Sequence, residues 1–119
     1  MTLNDIIEMQ KKFDNHHASN FKWDQVITDD NIHILEYLLL CLVGEFGETS
    51  NLVKKVLRGD CALADVKDQL SEEIIDMFIY IIKLGYQLNI NMEEKYLEKL
   101  YKNKTRFIKF ELDREGRNE

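Results

Sequence analysis

The sequence predicts an all-α fold: a four- to five-helix bundle with a central antiparallel helix pair. Three observations point there. The 119 residues include no proline and only five glycines, too few for the tight turns that strand-rich domains need. Apolar residues recur at helical spacing along four segments. Apolar residues make up 45 % and charged residues 32 %, a balance that builds a packed core and excludes a wholly disordered chain. The length allows one domain, residues 1–119. A domain of this size is only modestly stable alone, so a homodimer or homotetramer is expected.

The first helix is predicted from about Thr2 to Asn15, with Leu3, Ile6, Ile7, Met9 and Phe13 partly on one stripe. The segment HHASNFKWDQVITDDN then breaks the period. It is polar, holds the only tryptophan, Trp23, and reads as an ordered loop. The second helix is predicted from about Asp30 to Arg58. Acidic residues at its start and Lys54, Lys55 and Arg58 at its end suit the helix dipole, and Gly59 is a C-terminal stop. Leu38 to Val43 is apolar all round, which marks a central helix.

The third helix is predicted from about Leu63 to Gln87, with Asp60 a candidate cap; Ile74 to Ile82 is apolar except for Asp76. Asn91, with Glu94 three residues on, resembles a capping box and opens the fourth helix, which is predicted to run to about Leu112 before a frayed DREGRNE tail. Helices two and three form the central pair, with helices one and four covering them.

Charge and cysteine content narrow the function. The net charge of −6 lacks the basic excess of a general nucleic-acid binder, and no nucleic-acid partner is expected. An acidic protein binds a polyphosphate only if a metal cation or a local Lys/Arg cluster offsets the repulsion. Cys41 and Cys61 have no CxxC spacing, so a disulfide is not expected and a reducing cytoplasm is. The N-terminus lacks the apolar stretch of a signal peptide, and no apolar run approaches the roughly 18 residues of a membrane span.

The informative feature is acidic residues in apolar surroundings. Glu45 and Glu48 stand three apart in helix two, Glu73 and Asp76 three apart in helix three. Residues three apart share a helix face, so each central helix presents a carboxylate pair. Isoleucine, methionine and phenylalanine surround Asp76, and burying an unpaired carboxylate is costly enough that it finds a cation or neutralises. Two facing pairs make an oxygen-rich pocket suited to a hard divalent cation such as magnesium. Spacing alone leaves this reading beside a second one, solvated or salt-bridged carboxylates.

Neither pair contains histidine, as a di-iron bundle would require, and zinc is poorly supported. His16, His17 and His33 read as surface or loop histidines. Lys54, Lys55 and Arg58, and Lys102, Lys104 and Arg106, read as solvated basic faces, or as receivers of phosphate oxygens if a metal site exists. Trp23 could grip a base by stacking or pack on the bundle.

These residues resemble the MazG-like proteins of the all-α NTP pyrophosphohydrolase superfamily. LVGEFGETSNLVKKVLRGD is similar to the family's first segment, with its Glu-x-x-Glu. LSEEIIDMFIYIIKLGYQLNINMEE is similar to the second, with its Glu-x-x-Asp, and LEKLYKNKTRF to the basic, Asn-containing final helix. The resemblance covers roughly Asn31 to Phe107. It implies hydrolysis of a nucleoside triphosphate to monophosphate and pyrophosphate, serving nucleotide-pool sanitation or control.

The resemblance also implies magnesium, with manganese a substitute, held by Glu45, Glu48, Glu73 and Asp76, in a dimer or tetramer. Tyr80 matches a nucleotide-contacting tyrosine of some members. Lys54, Arg58, Asn103, Lys104 and Arg106 are implied phosphate or sugar contacts. Members acting on dCTP have base-holding aromatics near the start of the chain, where Phe21 and Trp23 could serve. Gly44 stands where some dUTP-directed members carry a third acid, so base preference is not implied. Glu45 or Glu48 is the expected general base. The competing reading is a non-catalytic helical oligomerisation or interaction module.

Overall fold

The computed structural model describes residues 1–17 and 21–111, which form four α-helices and, among the described residues, no strand. Helix α1 spans Leu3–His16. Thr2 caps it reciprocally: its Oγ1 accepts from the Asp5 amide at 3.2 Å, and Asp5 Oδ2 accepts from the Thr2 amide at 2.8 Å. A 3-10 turn at Asp29–Asn31, capped by Thr28, leads into α2, Ile32–Leu57. The expected start at Asp30 thus falls in that turn.

Gly59, at φ +83°, ends α2. Its amide donates to Val56 O at 3.0 Å, and the Asp60 amide donates to Lys55 O at 2.9 Å. Together these form a Schellman motif, which needs the left-handed backbone that glycine adopts at little cost. Helix α3 spans Leu63–Gln87, the predicted range. Its cap is Ala62, however, with Asp65 Oδ2 accepting from the Ala62 amide at 2.9 Å. The candidate cap Asp60 instead pairs with Arg58 at 3.0 Å, because the turn at Gly59 folds it back over α2.

A second Schellman turn closes α3 at Asn89, φ 57°. Helix α4, Met92–Arg106, is capped by Asn91 Oδ1, which accepts from the Glu94 amide at 3.1 Å. The helix stops short of the expected Leu112. A 3-10 turn at Ile108–Phe110 follows it, as helix ends do when the last turn tightens. Leu112 and the tail lie outside the described residues.

Helices α2 and α3 pack along their lengths as the predicted pair. Ile27, Ile34 and Leu38 form the core cluster, joined by Phe21, Trp23, Leu35, Tyr80 and Leu84. Helix α1 packs on α3 and touches the start of α4. The expectation that helices one and four cover the pair is corrected: α4 lies along neither α2 nor α3 and has no buried residue. Its first residue sits tight against the end of α3, where a Cβ on Gly85 would meet Met92 Sδ at 2.5 Å.

The apolar stretches are therefore covered on one face only. Leu38 is fully buried, while Leu39, Leu40 and Val43 are exposed; Ile82 is buried, while Ile74, Ile75, Phe78 and Ile81 are exposed. The radius of gyration is 18.5 Å, against about 13–14 Å for a compact domain of this length.

Candidate metal centre

The predicted carboxylates converge where α2 and α3 face each other. One oxygen each from Glu45, Glu73 and Asp76 lies within 4.8 Å of the others. Glu45 and Glu73 are half-buried and Glu48 is exposed. Glu48 is not one of the three that converge, but its carboxyl is held above the usual carboxylate range, chiefly by the neighbouring Glu73 carboxyl. Glu73 is raised as well, with the adjacent Glu45 carboxyl the largest cause and repulsion from Asp76 a smaller one. Like charges this close disfavour the ionised form of each neighbour.

Glu45 Oε2 and Glu73 Oε2 are buried and have no hydrogen-bond partner among the described residues. Each is an acceptor withdrawn from water and left unpaired, a costly state for a charged oxygen. No ammonium or guanidinium is paired with Glu45, Glu48, Glu73 or Asp76 among the described ion pairs. The donor set, all carboxylate oxygen, fits a hard divalent cation.

Tyr80 stands one turn beyond Asp76 on α3. Its phenol is pushed up to about 12, by burial first, then by Cys41 and by the Glu45 charge. Beyond it lies an aromatic group. Trp23 sits with its ring centroid 4.7 Å from Phe21, 6.1 Å from Tyr37 and 6.5 Å from Tyr80. Trp23 thus packs on the core, next to the tyrosine that reaches toward the acidic group. Cys41 and Cys61 are free thiols.

The chain is 35 % identical over 84 residues to the gene 37 protein of Mycobacterium phage L5, spanning 66 % of this chain and 74 % of that protein. This chain belongs to the gene 37 protein family. No protein-family model matches it, and no solved structure matches it significantly.

In this gene 37 family member the basic candidates are not gathered at the carboxylates. Lys54 Nζ donates to Asn51 Oδ1 at 3.4 Å, and Arg58 is held by Asp60. Asn103, Lys104 and Arg106 are on α4, apart from the central pair.

Sequence reading also missed a buried polar network. Asp14, 1 % exposed, pairs with Lys83 Nζ at 3.3 Å. The Lys83 ammonium lies 4.1 Å from the Trp23 ring centroid. The Tyr86 hydroxyl donates to Asp14, and Gln87 Nε2 donates to Trp23 O at 2.6 Å. Two signals were present in the sequence. Asp14 continues the stripe Leu3, Ile7, Gln10, and Lys83 interrupts the apolar run Ile81-Ile82-Lys83-Leu84.

Proposed function

We propose that this protein is a magnesium-dependent nucleoside triphosphate pyrophosphohydrolase of the MazG-like, all-α superfamily, acting as a homo-oligomer. The observation that carries the reading is the pair of buried, unpartnered oxygens, Glu45 Oε2 and Glu73 Oε2, inside a cluster of carboxylates. Glu45, Glu48, Glu73 and Asp76 would hold magnesium, with manganese a substitute. When bound, the cation supplies charge neutralisation for a polyphosphate and Lewis acidity at the phosphorus under attack.

The chain's own residues do the rest. Glu48, exposed at the edge of the group, is a candidate to take a proton from the attacking water; Glu45 is the other candidate. Tyr80 and Trp23 offer aromatic surface to a base. Lys54, Arg58, Asn103, Lys104 and Arg106 are the candidates for phosphate and sugar oxygens.

The exposed apolar faces of α2 and α3 favour a second reading, a non-catalytic oligomerisation module. A screen of nucleoside triphosphates with magnesium, read by phosphorus NMR, separates the two. Hydrolysis is expected to give monophosphate and pyrophosphate, and Glu73→Gln to slow it by roughly two orders of magnitude or more. Orthophosphate as the first product, or no turnover of any triphosphate, would reject the proposal.

A further inference from the structure

One face of α3 carries Glu73, Asp76, Tyr80, Lys83 and Gln87, at spacings of three, four, three and four. Residues so spaced line up along a helix, and the line runs about 21 Å from end to end. Between Ile74 and Gln87 the charged and amide side chains of α3 are Asp76, Lys83 and Gln87, all on this line. Its first half belongs to the carboxylate group. Its second half holds the segment that carries Trp23.

The hold acts on backbone and on ring. Gln87 Nε2 donates to Trp23 O at 2.6 Å, and Gln87 O accepts from the Ile27 amide at 2.8 Å. These bonds fix the loop at two points four residues apart. The ring is held by Lys83. Its ammonium lies 4.1 Å from the Trp23 ring centroid and 5.5 Å from that of Tyr80, both within the range over which a cation attracts an aromatic face. Asp14 supplies the counter-charge at 3.3 Å and is itself braced by Gln10 Nε2 at 2.9 Å.

Stability alone does not call for charge here. A buried ion pair is often no more stable than apolar side chains of the same volume. Asp14 is 1 % exposed and Lys83 8 %, so the ammonium is largely out of water, where its pull on a ring is strongest. Among the described ion pairs, Lys83 is paired with Asp14 and with no carboxylate of the line. What the ammonium adds over an apolar side chain is a directed contact to two rings at once.

We propose that Lys83, anchored by Asp14, is a positioning residue: it sets the Trp23 ring against Tyr80 and so shapes the aromatic surface that meets a nucleotide base. The hold on the ring stands on these contacts alone; its effect on a base rests on the function proposed above.

The test compares the full-length wild type with Lys83→Met, with Asp14→Leu combined with Lys83→Met, and with Lys83→Arg. The double change removes the cation together with its counter-charge, so it keeps the fold even if the single change does not. Acrylamide quenching of the fluorescence of Trp23, the only tryptophan, reads the ring directly. The quenching constant is expected to rise in the double variant and to stay at the wild-type value in Lys83→Arg, which keeps the cation. An unchanged constant in the double variant overturns the hold. Steady-state kinetics of the best triphosphate with magnesium read the consequence. In the double variant KM is expected to rise about five- to tenfold, near the lower end of what stacking a base on an aromatic ring is worth. Its kcat should change little, because the contact acts on bound substrate and transition state alike, and Lys83→Arg should restore KM. An unchanged KM, or a loss confined to kcat, overturns the positioning role. A wild type that hydrolyses no triphosphate rejects the function proposed above and the base role with it, while the quenching result still decides the hold on the ring.

Discussion

Glu48 and Glu73 are raised carboxyls, and the sign of that shift fixes how the metal-free protein responds to pH. A group that binds its proton more tightly folded than unfolded stabilises the fold while protonated. Unfolding then releases protons, because the unfolded state holds fewer than the native state, so stability falls as pH rises through the window above the ordinary carboxylate value. In chelator, the melting temperature should therefore drop between mildly acidic and neutral pH. Asp76 is a cause of both shifts, so Asp76→Asn should flatten that slope and raise the neutral-pH melting temperature by roughly 2–5 °C, while shrinking the gain on adding magnesium. A structural aspartate would give a lower melting temperature and an unchanged response to magnesium. Thermal melts of both proteins, with chelator and with magnesium, decide it.

At the scale of elements, the join between α1 and α3 rests on the Asp14–Lys83 pair. Removing one partner of a buried pair leaves the other charge unpaired, at a cost of about 3 kcal/mol or more. Asp14→Ala should lose about that much, and Asp14→Leu with Lys83→Met should lose much less than the two single changes added together. Urea unfolding followed by the fluorescence of Trp23, the only tryptophan, reads the cycle directly because the Lys83 ammonium lies against that ring. Additive losses would show that the pair is not coupled.

Asp14 and Lys83 each stood out on their own helix in the sequence, but their pairing was not legible, for a physical reason. Asp14 and Lys83 belong to different helices, and helical spacing describes one helix at a time. What was legible came from local chemistry. The Leu63–Gln87 range followed from periodicity, Gly59 from its backbone freedom, and the clustering of Glu45, Glu73 and Asp76 from three-residue spacing on two neighbouring helices. The fate of α4 was not legible, because an amphipathic stripe says that a face must be covered and is silent on what covers it.

At the scale of the whole molecule, the packing explains why apolar helices coexist with so small a core. The described residues bury six hydrophobic side chains: Ile7, Ile27, Ile34, Leu38, Val66 and Ile82. Two helices in contact cover one face each, and α1 covers only part of a second. If, as proposed, the protein is a homo-oligomer that covers the exposed remainder of α2, α3 and α4 with another copy, folding and association are one equilibrium. The melting temperature should then depend on protein concentration. Each tenfold increase adds about 1.4 kcal/mol to the association free energy, which corresponds to a rise of roughly 3–8 °C for a chain of this size. Under the proposed function magnesium should add its own increment at every concentration, because Glu45, Glu73 and Asp76 come together within one chain. Calorimetry at about 2, 20 and 200 μM protein, with and without magnesium, reads both effects together. A melting temperature independent of concentration would mean that the chain is stable alone with its apolar faces in water.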